Sequence, residues 1–297
     1  MIKMKNKFKL RDKKNWPFLL VFAIGFLLMM YPTISDYYYR VESNQEIEDF
    51  QEKAAALDEN EILRRMDLAE GYNTSIDPSK LGDPYTEKEK AGRAEYARML
   101  EIEEKIGFVE IPKIKERLPI YAGTSMEVLE KGAGHLEGTS LPIGGPSTHT
   151  VITAHRGLPK AKLFRHLDKM EKGDVFYIHN IETVLAYEVD QILVVEPWDF
   201  EPVLVTPGKD YATLLTCTPY MINSKRLLVR GHRIDYVPPV NSKPNINYQD
   251  ILPFIIPLAI LLLVLMLYFR REYQKKKKLY NELNVMRDEA EHDEQKE

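Results

Sequence analysis

Three residues of this chain have side chains suited to acyl transfer and sit at the edges of strand-like runs. Cys217, the single cysteine, closes the run Tyr211-Ala-Thr-Leu-Leu-Thr-Cys217. His155 closes another, Ile152-Thr-Ala-His155, and Arg226 opens a third, nine positions after the cysteine. A free thiol has a pKa of about 8.5 and is mostly protonated at neutral pH, so a nucleophilic cysteine needs a neighbouring base. An imidazole can take that proton and then protonate a departing amine. A guanidinium stays charged and suits the oxygen of a carbonyl under attack. The bland readings are a small buried hydrophobe for Cys217, a chance histidine (one of seven) for His155 and a surface arginine for Arg226, with Lys225, Arg230 and Arg233 close by. His149 shares the strand of His155, which raises a metal site as a rival. The spacings expected of zinc ligands, Cys-x-x-Cys or His-Glu-x-x-His, are absent from the sequence. We therefore expect no metal and no cofactor.

The elements that must position this trio read as strands. Side chains alternate along a strand, so Thr213, Leu215 and Cys217 share one face, as do Arg226, Leu228 and Arg230. Eight residues separate Cys217 from Arg226, a fitting loop between neighbouring strands. Arg156-Gly157 after the histidine reads as a turn, which would bring all three groups to one rim. Short β-rich runs recur at Gly107–Ile111, Leu118–Ala122, Thr148–Ala154, Asp174–Ile178, Val184–Val195, Tyr211–Thr216 and Arg226–Tyr236, punctuated by Gly, Pro and Asn. Seven or eight such strands predict a closed or nearly closed β-barrel over 106–237. Helical pieces are expected at Ser125–Lys131 and Lys162–Met170.

Ahead of the barrel, residues 36–105 read as helical. Ser43 with Glu46 forms a capping box for a helix over 43–70, and Thr86 with Glu89 a second one for a charged helix running to about Lys105. Between them, about 71–85 is rich in turn formers. After the barrel, 238–250 is a proline-bearing linker.

Charge patterning adds a membrane. The net charge is −4, yet residues 1–15 carry Lys3, Lys5, Lys7, Lys9, Arg11, Lys13 and Lys14 against Asp12, and a second cluster runs Arg270-Arg271 and Lys275–Lys278. Each abuts an apolar stretch, 16–35 and 251–269, long enough to span a bilayer. Basic blocks so placed follow the positive-inside rule rather than marking a nucleic-acid arm. A small-x-small cleavage site does not follow the first stretch, which favours an anchor over a signal peptide. Both termini, including the polar tail 270–297, are then cytoplasmic, and 36–250 faces outside. There a lone thiol has no internal disulfide partner and is open to oxidation, so its presence calls for a chemical reason.

The run Thr213-Leu-Leu-Thr-Cys217 resembles the Thr-Leu-x-Thr-Cys signature of sortases, and Thr153-Ala-His155-Arg-Gly resembles the histidine segment of that family. The stretch from Cys217 through Arg226 to Arg233 is similar to that of class C, pilin-polymerising sortases. The resemblance implies an eight-stranded sortase-type β-barrel with His155, Cys217 and Arg226 as catalytic residues. It also implies a membrane enzyme on the outer face of a Gram-positive cell that cleaves an LPXTG-like sorting signal between Thr and Gly. A thioester on Cys217 is then resolved by a lysine of the next pilin subunit, so the implied partners are pilins bearing such a signal and an acceptor lysine. Class C members carry a lid with an Asp-Pro-aromatic motif. Asp83-Pro84-Tyr85 stands in the linker identified above, where its bland reading is a turn before a helix. A housekeeping sortase acting on cell-wall peptide and a non-catalytic binding barrel are the alternatives.

Overall fold

The structure, a computed structural model, describes residues 16–76, 81, 95–238 and 248–294. Eight strands close into one barrel: β1 (Lys105–Ile111), β2 (Glu116–Ala122), β3 (Ala133–His135), β4 (Thr148–Thr153), β5 (Val175–His179), β6 (Val184–Val195), β7 (Asp210–Thr218) and β8 (Lys225–Ile234). Around the barrel they run β1-β2-β3-β4-β7-β8-β6-β5, with β5 returning to β1. Pairings are antiparallel except β2 with β3 and β4 with β7, which are parallel. The β2–β3 crossover is made by the short helix α3 (Met126–Lys131), whose N-terminus is capped by the Ser125 hydroxyl accepting from the Val128 amide. Closure leaves no exposed sheet edge. The interior face carries Ile120, Ile152, Phe176, Leu185, Leu214, Leu227 and Val229, all buried.

Most expected strands are present to within two residues at each end. β3 was not anticipated: three residues, Ala-Gly-His, carry too little pattern to read. The helices depart further from expectation. One helix, α1 (Trp16–Ala55), runs unbroken through the first apolar stretch and Pro32 into the region read as a separate helix. Ser43 is therefore interior to α1 instead of its cap. Its hydroxyl donates to the Arg117 carbonyl at 3.2 Å, and Glu46 pairs with Lys105 rather than completing a capping box. The break falls at 56–58, where Asp58 caps α2 (Glu59–Thr74) by accepting from the Glu61 amide. The charged helix expected to reach Lys105 is a 3-10 turn at Glu95–Leu100 in its described part, and Lys105 opens β1. The piece expected at Lys162–Met170 is only a 3-10 turn, Leu167–Lys169. Thr86, Glu89 and the motif Asp83-Pro84-Tyr85 lie outside the described residues, as do 239–247 of the expected 238–250 linker, whose last three residues are already helical.

The chain divides into two units, Ile34–Pro239 and a second formed by Met1–Thr33 with Val240–Glu297. Within the first, Ile47, Phe50 and Ala54 of α1 are buried against the barrel, and Phe50 meets Phe108 edge-on at 6.5 Å. Burial of the Ile47 and Phe50 side chains contributes about 2–3 kcal/mol each. Asp36 receives the Lys162 ammonium at 2.9 Å and the Lys162 amide at 3.2 Å, tying α1 to the loop after His155. In the second unit, the apolar stretch 251–269 lies within α4 (Tyr248–Glu294). Among the described residues one helix, Leu20–Ala55, is long and apolar enough to cross a bilayer by length and composition.

Candidate active site

The ladder between β7 and β8 pairs Cys217 directly with Arg226. Direct antiparallel partners point to the same side of a sheet, so thiol and guanidinium share a face. On the other flank of β7, parallel β4 matches Val151 to Thr213 and Thr153 to Leu215. The regular ladder ends there, and the chain carries on for two residues to His155. Its course is fixed by three bonds. The Ala154 amide donates to the Leu215 carbonyl at 3.2 Å, the Thr216 hydroxyl donates to the Ala154 carbonyl at 2.8 Å, and the Phe164 amide donates to the His155 carbonyl at 3.1 Å. His155 thereby comes level with Cys217. The turn expected after His155 is made by Gly157, whose φ of +115° only glycine adopts readily; a Cβ there would sit 2.7 Å from the Arg165 Nε.

His155 and Cys217 line one cavity of about 330 Å³ together with Arg156, Leu158, Arg165, Tyr220, Met221 and Asn223. Cys217 and Arg226 are 5% and 4% exposed. Burial lowers the His155 pKa below its ordinary value, and the negative charge of Glu130 opposes that shift. Burial thus favours the neutral imidazole, the form that can accept a proton. Nη1 of Arg226 donates to the carbonyls of Asn223 and Lys225, each at 3.0 Å, so the guanidinium orders the loop that follows the cysteine. Arg156 bridges Thr218 and Asp168, bracing the end of β7 from the other side. A thiol, an imidazole and a fixed cation on one rim make an arrangement that can carry out acyl transfer to and from a thioester.

Below the rim, a second buried apolar cluster lies on the same outer face: Leu136, Val151, Leu215 and Leu228, covered by Val203 and flanked by Leu193, Val195 and Phe200. It forms an apolar strip leading away from Cys217. Sequence reading had placed neither this strip nor the roles of Thr213 and Thr216. The signal was available, since Thr213, Leu215 and Cys217 alternate with Leu214 and Thr216.

His149 is not a metal ligand in this geometry. Its Nδ1 lies 3.0 Å from the Leu204 carbonyl and its Nε2 2.7 Å from the Thr213 hydroxyl, so both ring nitrogens are taken.

Residues 109–234 match the sortase domain family. A pilus-related sortase C of Group B Streptococcus is 62% identical, with a TM-score of 0.62; the match covers 64% of this chain and 97% of that one. Sortase C-1 of Streptococcus pneumoniae is also 62% identical, with a TM-score of 0.64, over 65% of this chain and all of that one. Sortase A of Bacillus anthracis is 26% identical over 72% of this chain and 90% of its own length. The chain belongs to the sortase family, among the sortases of class C. It is therefore an enzyme, a cysteine transpeptidase. The matched segment of this sortase runs from within β1 to the end of β8 and contains His155, Cys217 and Arg226. The expected lid motif, Asp83-Pro84-Tyr85, cannot be placed against the rim, because it falls outside the described residues.

Proposed function

We propose that this sortase polymerises pilins on the outer face of the membrane, with Cys217 as nucleophile, His155 as proton shuttle and Arg226 as oxyanion donor. In the acylation step His155 takes the Cys217 proton and sulfur attacks the Thr carbonyl of an LPXTG-like signal. Arg226 stabilises the oxygen of the tetrahedral intermediate. Collapse breaks the Thr–Gly bond, and the leaving glycine amine receives the proton held by His155. A thioester remains on Cys217. A pilin lysine, entering as the free amine, attacks the thioester carbonyl; His155 takes the amine proton and returns it to the departing sulfur. The product is an isopeptide bond between two subunits. The observation that carries this reading is the direct Cys217–Arg226 strand pairing with His155 brought level by the β4–β7 ladder. The apolar strip supports an extended substrate with a leucine upstream of the scissile bond.

Membership among pilus-related sortases and the basic flanks of 16–35 and 251–269 support a two-pass layout, with both termini cytoplasmic and 36–250 outside. The lid reading of Asp83-Pro84-Tyr85 is supported by the described flanks. Tyr72 stacks on Tyr96 with centroids 5.4 Å apart, and Asn73 exchanges two hydrogen bonds with Leu141, which sets the ends of the intervening segment side by side on the barrel.

The test is intact-mass spectrometry of the full-length chain in detergent, mixed with a sorting-signal peptide and then with a pilin fragment bearing lysines. The expected results are an acyl adduct lost in Cys217→Ala, and peptide–pilin conjugates joined at a lysine. An adduct that persists in Cys217→Ala would remove the thioester mechanism, and conjugation only to cell-wall peptide would assign the chain to surface anchoring instead.

A further inference from the structure

The outer face that carries Cys217 is laid out in rows. Register places Cys217, Arg226 and Val195 in the first row, and Thr153, Leu215, Leu228 and Leu193 in the second. Val151, Thr213 and Arg230 form the third, and His149 with Tyr211 the fourth. At about 3.3 Å per residue, the second and third rows lie about 7 and 13 Å from Cys217. Residues 196–209, between β6 and β7, cover the strip, and their apolar contact with it is made by Phe200 and Val203.

The residue after Val203 is the one that His149 holds. The Leu204 carbonyl can only accept, so the His149 Nδ1 carries the proton. Its Nε2 therefore accepts from the Thr213 hydroxyl. His149 is 1% exposed, and burial lowers its pKa to about 4. One neutral imidazole thus joins β4, β7 and the covering segment, and sets how closely Val203 approaches Leu215 and Leu228.

We propose that His149 is a positioning residue for substrate selection: it fixes the wall of the pocket that receives the apolar side chain three residues before the scissile threonine. This inference rests on the sorting-signal reading above. Three extended residues span about 10 Å, which places that side chain between the second and third rows, under Val203. The pocket selects by shape and apolar burial, and losing the clamp loosens its wall without touching the catalytic row.

The experiment measures kcat and KM of the full-length chain in detergent, with hydroxylamine as acceptor amine, for two peptides differing only in leucine or alanine at that position. His149→Phe keeps a planar aromatic ring and removes both hydrogen bonds; His149→Asn retains a donor toward Leu204. His149→Phe is expected to raise KM for the leucine peptide about tenfold with kcat within twofold, and to shrink the leucine-to-alanine preference by a similar factor. His149→Asn is expected to recover most of both. If His149→Phe does not fold, Thr213→Val carries the same test by removing the donor to Nε2. A fall in kcat with the preference intact, or no recovery in His149→Asn, would overturn the proposal while leaving the sorting-signal reading standing. Failure of the unmodified chain to process either peptide would overturn both.

Discussion

Thr216→Val and Thr150→Val make the same chemical change on neighbouring strands and are expected to act in opposite directions. Both threonines are buried. The Thr216 hydroxyl donates at 2.8 Å to the Ala154 carbonyl, one residue before His155. The Thr150 hydroxyl has no hydrogen-bond partner among the described residues. Valine preserves the shape at each site. At position 216 it deletes a hydrogen bond worth about 1 kcal/mol and strips a donor from a buried carbonyl, whose desolvation costs about 1–3 kcal/mol. A loss of about 1–2 kcal/mol in unfolding free energy is expected. At position 150 it removes an unpaired buried hydroxyl, so stability should hold or rise by up to about 1 kcal/mol. The functional consequence is confined to position 216. Of the bonds that set the course of the chain here, two made by Ala154 and one by the His155 carbonyl, the Thr216 bond is the shortest. If the lost energy appears as displacement of the strand end, about 1.4 kcal/mol corresponds to a tenfold slower acylation. Quenched-flow mass spectrometry of acyl-enzyme formation and urea unfolding should be run on Thr216→Val, Thr216→Ser and Thr150→Val. A Thr216→Val enzyme destabilised by more than about 1 kcal/mol that still acylates within twofold of the unmodified chain would refute the tether argument. So would a Thr216→Ser variant that fails to restore the rate.

Arg226→Lys retains the charge but cannot serve two carbonyls and a reacting oxygen from one planar group, so acylation should fall about 10²–10³-fold; a fall below tenfold would remove Arg226 from the oxyanion role. Acidification should destabilise the barrel. Burial lowers His135 and His149 from 6.5 to about 4, so the unfolded chain takes up protons first and stability is lost as pH falls from 6.5 towards 4, by roughly 3 kcal/mol for each. Glu116 opposes this: burial raises its pKa from 4.5 to about 7, so acidification from 7 to 4.5 adds roughly 3 kcal/mol. Urea unfolding at pH 7, 5.5 and 4 should show a net loss of stability in the unmodified chain and a steeper one in Glu116→Gln. Equal slopes in the two would refute the assignment to Glu116.

What the sequence disclosed and what it withheld divide along the range of the interactions involved. The β6, β7 and β8 runs were readable because alternation is local, and Cys217 and Arg226 were readable as neighbours because a short loop joins their strands. That His155 comes to the same rim was readable from its place at a strand end, but the pairing that sets it beside Cys217 was not. That adjacency depends on a parallel β4–β7 pairing across 62 residues, which β5 and β6 separate in the chain. The capping box at Ser43 failed for the related reason that a local signal yielded to tertiary partners: Arg117 takes the Ser43 hydroxyl and Lys105 takes Glu46.

The Thr-Leu-Leu-Thr-Cys run combines both ranges. Its period of two puts Thr213, Leu215 and Cys217 on the groove face and Leu214 and Thr216 on the other. Leu214 fills the barrel. Leu215 floors the apolar strip, Thr213 holds the wall of that strip through His149, and Thr216 holds the strand end that presents His155. Each threonine bonds an atom of β4 or its extension, so β7 fixes both the groove and the imidazole against the same strand. A substitution at either threonine should therefore be felt at a different step, Thr213 in substrate affinity and Thr216 in acylation, although only two residues separate them.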